Sequence, residues 1–537
     1  MDTRALRQKI LDLAIRGKLV PQDPSDEPAS VLLERIRAEK QKMVKEGKLK
    51  AKDIKNDSII YVGEDNLHYE KFADGSVKCI EKEIPFDLPE GWNWSRLRNI
   101  AQVKGGKRIP KGMGFSPDKT AHAYIRVSDM KNHSINLNDL KYITDEVHSK
   151  IKNYIISKND LYITIAGTIG VAGAVPDELD GMNLTENAAK VTEIKLDKAF
   201  LCLVLQCEFV QQQFQDKTHQ VAMPKLALER ILSILIPVCP LREQMKICST
   251  ITNLDFFLSA IEKEKNNLVK VVSAAKSKIL DLAIRGKLVP QDPNNEPASI
   301  LLERIREEKE ELIKAGKLKR DKKESVIFRG EDNSYYEKIG EEVRCIDQEI
   351  SYEIPKTWTW IRLANCCCKE IKRGKSPKYA KLSNTLVFAQ KCNRKYSGID
   401  VTLAQYLDEN MLSKYDAYEY IQDKDIVVNS TGTGTLGRVG LYRTSANYTG
   451  LPIVPDSHIT VIRACHSIHA LYLYIFMKAN QAWLEKKGEG STNQKELKPI
   501  TLKDMLVPIP PYFTQKRIVT TVEKAFSSIA SVEESLN

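Results

Sequence analysis

The longest regular pattern of apolar positions lies in the middle of the chain. Ile247, Ile251, Leu254, Leu258, Ile261, Lys265, Leu268, Val272, Ala275, Ile279 and Leu282 step by alternating four and three. This heptad seam, interrupted only by Lys265, predicts one helix over 241–289, on the order of 70 Å long at 1.5 Å per residue. A seam of that length needs a partner helix. The tail supplies half of one: Ile518, Val522, Ala525, Ile529, Val532 and Leu536 repeat the start of the pattern. The amino-terminal stretch supplies the other half, with Thr3, Leu6, Ile10 and Leu13 at helical spacing, Arg16 in the last turn and Gly17 at the left-handed closing position. Pro21 and Pro24 stop that helix. Glu27-Pro28 opens a second one that Gly47 ends, and its copy runs from Pro297 to Gly316.

These helical pieces are duplicated. Lys9 to Arg37 recurs at Lys278 to Arg306 with 26 of 29 residues identical, the exceptions being Ser25/Asn294, Asp26/Asn295 and Val31/Ile300. A repeat of this kind sets the architecture. On the repeat, Met1 aligns with Lys270 and Asn537 with Asn266, so the chain reads as a ring cut within one helix. The two long helical paths run in opposite directions, which predicts an antiparallel coiled coil with a pseudo-two-fold axis and neighbouring termini.

Each helical pair is followed by GEDNLHYEK (Gly63 to Lys71) or GEDNSYYEK (Gly330 to Lys338), short β-like runs, and a Pro–aromatic signature: IPFDLPEGWNWSRL at Ile84 to Leu97, ISYEIPKTWTWIRL at Ile350 to Leu363. Trp92, Trp94, Trp358 and Trp360 are expected in cores. The less similar regions beyond, about 98–235 and 364–506, mix short strands and helices, giving an α+β class. Both open on a basic glycine loop (Lys104 to Gly112; Lys372 to Tyr379) and contain a strand ending in a Gly-Thr turn (Asp160 to Gly170; Asp425 to Gly437). Both close on a short helix and a Pro-rich apolar strand (Ile234 to Gln244; Met505 to Gln515). The expected division is 1–50 helical, 51–240 first globular domain, 241–320 helical, 321–510 second globular domain and 511–537 helical.

Composition narrows the function. With 537 residues and 42% hydrophobic content, real cores and three or four domains are available. The net charge of +11 suits a polyanionic partner. No apolar run reaches the roughly 18–20 residues of a membrane span, and Met1-Asp2-Thr3-Arg4 leads into an amphipathic helix instead of a signal peptide. The eleven cysteines show no disulfide framework and read as reduced thiols in a cytoplasm, and the eight histidines show no zinc spacing. Gly432 to Gly437 mimics a phosphate loop, but Arg438 and Val439 stand where such a loop needs Lys and Ser/Thr. No Asn-Pro-Pro-aromatic, HExxH, GxSxG or CxxC motif occurs. No catalytic, cofactor or metal residues are therefore assigned.

What remains is a geometry for reading DNA: two related, divergent domains on a rigid spacer, addressing two half-sites. Loop cations hold phosphates, while Arg, Lys, Asn and Gln read base edges. The candidates are Lys104, Lys107, Arg108, Lys111, Arg126, Ser128, Asp129, Lys131, Asn132 and Thr168 in the first domain. In the second they are Arg373, Lys375, Lys378, Gln390, Lys391, Asn393, Arg394, Thr433 and Arg438.

In the order of these motifs, twice over, the chain resembles the specificity subunit of type I restriction–modification enzymes. The resemblance rests on the duplicated helices, the Pro-Glu-Gly-Trp and Ile-Pro-Lys-Thr-Trp starts, the glycine loops, the Gly-Thr turns, and the Pro-Leu-Arg-Glu-Gln and Pro-Tyr-Phe-Thr-Gln helix starts; Lys356-Thr357 is the one departure, in a surface turn. It implies two target-recognition domains joined by conserved helices, and no catalysis in this chain. It also implies double-stranded DNA and two modification subunits as partners. Those subunits would bind S-adenosylmethionine and methylate adenine. Restriction subunits, where present, would add ATP- and Mg-dependent translocation and cleavage. The docking surface would be the helical regions, including 1–50 and 270–320. Two other classes remain open on the residues alone: a divergent methyltransferase or nuclease acting by itself, and a two-armed protein-binding scaffold.

Overall fold

A computed structural model describes residues 2–218, 225–320, 324–395, 398–432, 434–489 and 495–536. The chain divides into two compact units, Met1–Glu264 and Lys265–Asn537, and the division falls inside a single helix, Leu241–Ile284.

In the first unit the amino-terminal helix Thr3–Ile15 starts at Asp2, whose carboxylate accepts from the backbone N–H groups of Arg4 and Ala5. It ends before Gly17, at φ +65°, where a Cβ would lie 2.4 Å from the Pro89 ring; backbone conformation and space both require glycine. The helix runs antiparallel to the long helix. Arg7 meets Asp255 and Glu262, each at 2.6 Å, while Gln22, further along, donates to Glu243 at 3.1 Å. The second unit repeats the arrangement between the far half of the long helix and Tyr512–Leu536: Lys276 pairs with Glu533 at 2.7 Å and Asn295 donates to Thr514 at 3.2 Å. The apolar seam is used unevenly. Ile247, Leu258 and Val272 are buried, whereas Ile261 and Leu268 are 44% and 40% exposed.

The second helix of each unit, Ala29–Lys45 or Ala298–Lys314, is introduced by a proline and buries one stripe: Ala29, Leu32 and Ile36, or Ala298, Leu301 and Ile305. An antiparallel three-stranded meander follows, Ser58–Val62, His68–Phe72 and Val77–Cys79 in the first unit. Its counterpart is Ser325–Arg329, Tyr335–Ile339 and Glu342–Cys345. The Trp-bearing strand Asn93–Arg96 pairs antiparallel with Leu235–Val238, Trp94 opposite Pro237. Thr359–Arg362 pairs likewise with Leu506–Ile509, Trp360 opposite Pro508. The two ends of each divergent region are thus stitched into one small sheet. The four tryptophans of the two signatures, Trp92, Trp94, Trp358 and Trp360, are buried.

One buried arginine per unit holds the meander to that sheet. Arg96 donates to Glu70 and Glu83, each at 2.8 Å, and to the Ser233 carbonyl at 3.1 Å. Arg362 donates to Glu337 at 2.7 Å, Glu349 at 2.8 Å and the Asp504 carbonyl at 2.7 Å. The units differ at the neighbouring tryptophan. Trp92 donates to Glu243 at 2.9 Å, whereas Trp358 donates to Gln291, also at 2.9 Å, because Thr514 stands at the place of Glu243.

Between the stitched ends lie the divergent regions, each built on one antiparallel and one mixed sheet. In the first unit one sheet has the order 172–174, 161–164, 188–192, 102–105, and the other 155–156, 182–184, 122–125, 141–143. The second unit has 439–441, 426–429, 459–462, and 379–380, 405–407, 386–388, 453–455. Each second sheet contains one parallel pair, Asn183 beside Tyr124 and Leu386 beside Ile453. The class is α+β in both copies. No cysteine is disulfide-bonded, and burial pushes the thiols of Cys366 and Cys367 well above their ordinary value. No helix among the described residues is long and apolar enough to cross a membrane.

Candidate nucleic-acid interface

The basic glycine loop of each unit is held against the loop that ends a neighbouring strand. Gly106 donates to Ala188 and Lys107 to the Leu184 carbonyl, at 3.0 and 2.9 Å. A Cβ on Gly106 would lie 2.1 Å from the Thr185 carbonyl oxygen. In the second unit Gly374 donates to Ile459 at 2.9 Å, and a Cβ there would lie 2.2 Å from the Pro455 carbonyl oxygen. Only glycine permits either approach, which explains a glycine at this point in both loops.

Other loops converge on the same end. In the first unit, Ala166 in the Gly-Thr turn bridges to Lys225, whose ammonium donates to the Glu186 carbonyl at 3.2 Å. The hairpin Met130–Lys131/Ser134–Ile135 turns through Asn132 and His133, both left-handed at φ +52° and +57°, the geometry favoured by two-residue hairpin turns. Its His133 carbonyl accepts from Ala174 at 3.0 Å. In the second unit the Gly-Thr turn bridges through Thr431 to Glu496, Thr431 contacts His458 at 2.5 Å, and Arg373 pairs with Glu496 at 3.1 Å. The hairpin strand Asn393–Arg394 is tied to the Gly-Thr strand through Asn393. The same four kinds of loop therefore gather twice, on two different sequences.

Within these clusters the candidate residues fall into three groups. Lys107, Lys111, Lys131, Asn132, Thr168, Lys378 and Lys391 are exposed. Lys107 lies over the Tyr154 ring at 5.5 Å. Ser128, also exposed, donates to Asp129 at 3.4 Å. Gln390 is half-buried; its carbonyl oxygen accepts from Thr435, while its amide nitrogen has no partner among the described residues. A second group sits in surface ion pairs: Lys104 with Glu193, Arg108 with Glu186, Arg373 with Glu496 and Arg394 with Asp400. Burial pushes the Glu186 carboxyl up, but the Arg108 guanidinium, the Glu186 backbone N–H and the Thr185 hydroxyl together hold the group below the usual carboxylate range.

The third group is occupied inside the protein. Asp129 is buried and accepts from Arg126 at 2.6 Å, and Arg126 also donates to the Asp139 carbonyl at 2.8 Å. Asn393 is buried and donates to Asn429 at 3.0 Å and to the Arg438 carbonyl at 3.1 Å. Arg438 donates back to the Asn393 carbonyl at 2.7 Å, closing the Gly-Thr turn. Lys375 pairs with Glu419 at 2.5 Å. These five shape the loops from within. Thr433 lies outside the described residues. Sequence reasoning missed Glu186, Lys225, His458 and Glu496, which the fold brings to the same clusters from distant stretches; the glycines at 106 and 374 were the only local sign that another loop must pass close by.

The arrangement offers a rim of free lysines and a few free amides and hydroxyls. Lysine ammoniums bind phosphate as point charges, and amides reach base edges in a groove. Among the described residues no His/Cys/Asp/Glu group could hold a metal ion.

A family model for the type I restriction modification DNA specificity domain matches residues 89–271 and 355–537. Each match begins at the Trp signature and runs into the helix that follows, Leu241–Ile284 or Tyr512–Leu536, so the segments 1–88 and 272–354, with their second helices and meanders, lie outside it. The chain is 26% identical to the EcoEI type I restriction enzyme specificity subunit of Escherichia coli, over 97% of this chain and 89% of that one. It is 30% identical to the EcoAI specificity subunit of the same species, over 67% of this chain and 62% of that one. A chain solved in work on complex assembly and conformational transition of the type I R-M system has a similar fold. Its TM-score is 0.52 at 16% identity, covering 84% of this chain and 94% of that one. Two matched modules in one order, carrying the same stitched sheets and gathered loops, place this chain in the type I restriction–modification DNA specificity family.

Proposed function

We propose that the two globular domains (51–240 and 321–510) read the two halves of a bipartite, asymmetric DNA target and direct methylation and cleavage there by partner subunits. The observation that carries this reading is the same loop cluster built twice on divergent sequence: shared architecture places the loops, and different side chains in them read different bases. Free cations such as Lys107, Lys131, Lys378 and Lys391 hold phosphates. Asn132, Thr168 and Gln390 face the base edges. Arg126, Asp129, Lys375, Asn393 and Arg438 keep the loops in shape.

The chain is a specificity subunit and not an enzyme. The chemistry belongs to two modification subunits, which would carry S-adenosylmethionine, and to restriction subunits that would use ATP and Mg. The helical regions 1–50, 241–320 and 511–537 join the recognition domains as an antiparallel coiled coil. The place of action is the cytoplasm, where the DNA is. The test is a gel shift of the reconstituted chain and modification subunit on target and scrambled duplexes. The account expects strong preference for one bipartite sequence, with affinity falling as salt rises. Equal binding to both duplexes overturns it.

A further inference from the structure

The outer face of each meander is a duplicated surface with no role inside the unit. By strand register, one row across the first meander is Ile59, Lys71 and Val77, and the next is Tyr61, Tyr69 and Cys79. In the second meander the same rows are Val326, Lys338, Val343 and Phe328, Tyr336, Cys345. Position by position the chemistry repeats: β-branched, lysine, valine; aromatic, tyrosine, cysteine. Exposure repeats too, at 37% and 39% for Ile59 and Val326, and 40% and 42% for Tyr61 and Phe328. The aromatic pairs are stacked alike, Tyr61 with Tyr69 at 6.0 Å and Phe328 with Tyr336 at 5.9 Å.

The face continues onto the second helix. Leu33, Arg37, Ile59 and Tyr61 line one cleft of about 320 Å³, and Leu302, Arg306 and Val326 line its smaller counterpart. Arg37, Lys71, Arg306 and Lys338 form no ion pair among the described residues. Neither strand face carries a carboxylate of its own; the acids at hand are Glu34 and its counterpart Glu303 on the second helix, Asp57 and Glu324 in the clefts, paired with Lys40 and Lys309, and Asp65 and Asp332, which accept from the Tyr69 and Tyr336 hydroxyls at 2.7 and 2.8 Å. Solvent-exposed aromatics and branched aliphatics that lie side by side mark an interaction surface. Unpaired cations beside them call for a carboxylate on the partner. Two equivalent patches on one chain call for a partner that binds twice.

We infer that these two patches are the seats of the two modification subunits, each taking an apolar segment that carries an acidic side chain. The inference rests on the function proposed above and goes beyond it, since the patches lie in the segments that the family match leaves out. Duplex DNA is the weaker occupant, because four of the six positions on each face are apolar or aromatic before the cysteine is counted.

The test uses the full chain and the purified modification subunit of its system. Variants carry Tyr61→Asp with Lys71→Glu, Phe328→Asp with Lys338→Glu, or all four changes, and stoichiometry is read by native mass spectrometry. Lys71→Glu and Lys338→Glu alone serve as milder surface changes, with strand amide exchange as the check on folding. The expected result is two modification subunits on the unaltered chain, one on each single-patch variant and none on the combined one, with the lysine changes alone weakening binding at least tenfold. If the combined variant still takes two subunits with unchanged affinity, the inference fails and the proposed function stands. If the variants lose only self-association or only DNA affinity, the patches serve another occupant and the inference also fails. If the unaltered chain recruits no modification subunit, the proposed function itself fails.

Discussion

Removing the charge of Glu337 should uncouple the second meander from its unit and abolish its response to acid. Glu337 is 1% exposed and accepts from Arg362 at 2.8 and 2.7 Å and from Arg344 at 2.6 Å. The Arg362 guanidinium, outweighing burial and aided by Ser325 and Arg344, holds its carboxyl down at about 2 against an ordinary 4.5. At 1.36 kcal/mol per unit, that depression is a stabilisation of about 3 kcal/mol. A depressed acid contributes fully above its unfolded value and loses the contribution as pH falls toward its folded one. The window is therefore from about pH 5 down to pH 2. In Glu337→Gln, Arg362 keeps Glu349 and the Asp504 carbonyl but loses its buried counter-ion, a loss of the order of 3–5 kcal/mol for a broken buried pair. A chain of two units does not unfold in one step, so the assay is local: amide exchange of Tyr335–Ile339 from pH 7 to pH 2.5, corrected for intrinsic rates. The unaltered chain should lose about 3 kcal/mol of protection across the window, while the Gln variant should be weakly protected at pH 7 and nearly flat. The strand His68–Phe72, held by the separate Arg96 clamp, is the internal control. Parallel pH profiles for the two proteins would refute the reasoning.

Further outcomes follow from the loops and thiols. Gly374→Ala should push the glycine loop off the Pro455 carbonyl and weaken recognition of one half-site alone, read by competition with duplexes altered in either half. Lys378→Ala and Lys391→Ala should each lower the slope of log affinity against log salt by about 1, without changing sequence preference. A thiol reagent should find two fast cysteines, Cys79 and Cys345, which are exposed, and should reach Cys366, Cys367 and Cys368 only on unfolding; fast labelling of the adjacent triplet would contradict the packing.

Much of this was legible in the residues. The heptad seam and the 269-residue offset were enough to place the long helix and its two half-partners, because helix periodicity is local and a duplication is visible without knowledge of contacts. The Trp signature and the Pro-rich strand were each recognisable, but their pairing across the divergent region was not, since pairing is a matter of register between distant segments. The loop candidates fared unevenly. Asn393 and Asp129 sit among exposed-looking polar runs, and nothing local distinguishes an amide that reads DNA from one that closes a buried network. Lys225 and His458 were invisible for the opposite reason: each is unremarkable in its own stretch and is brought to the rim only by the sheet order. Ile261 and Leu268 fit the seam as well as Ile247 does, yet stay exposed, because periodicity reports which side of a helix is apolar and not what covers it.

The most direct test of the account is a map of methylated adenines in the source genome with this gene intact, deleted, and carrying a rearranged Lys372 to Tyr379 loop. The account predicts one split, non-palindromic motif that vanishes on deletion and changes in one half only with the altered loop. A methylation pattern that survives deletion unchanged would contradict it.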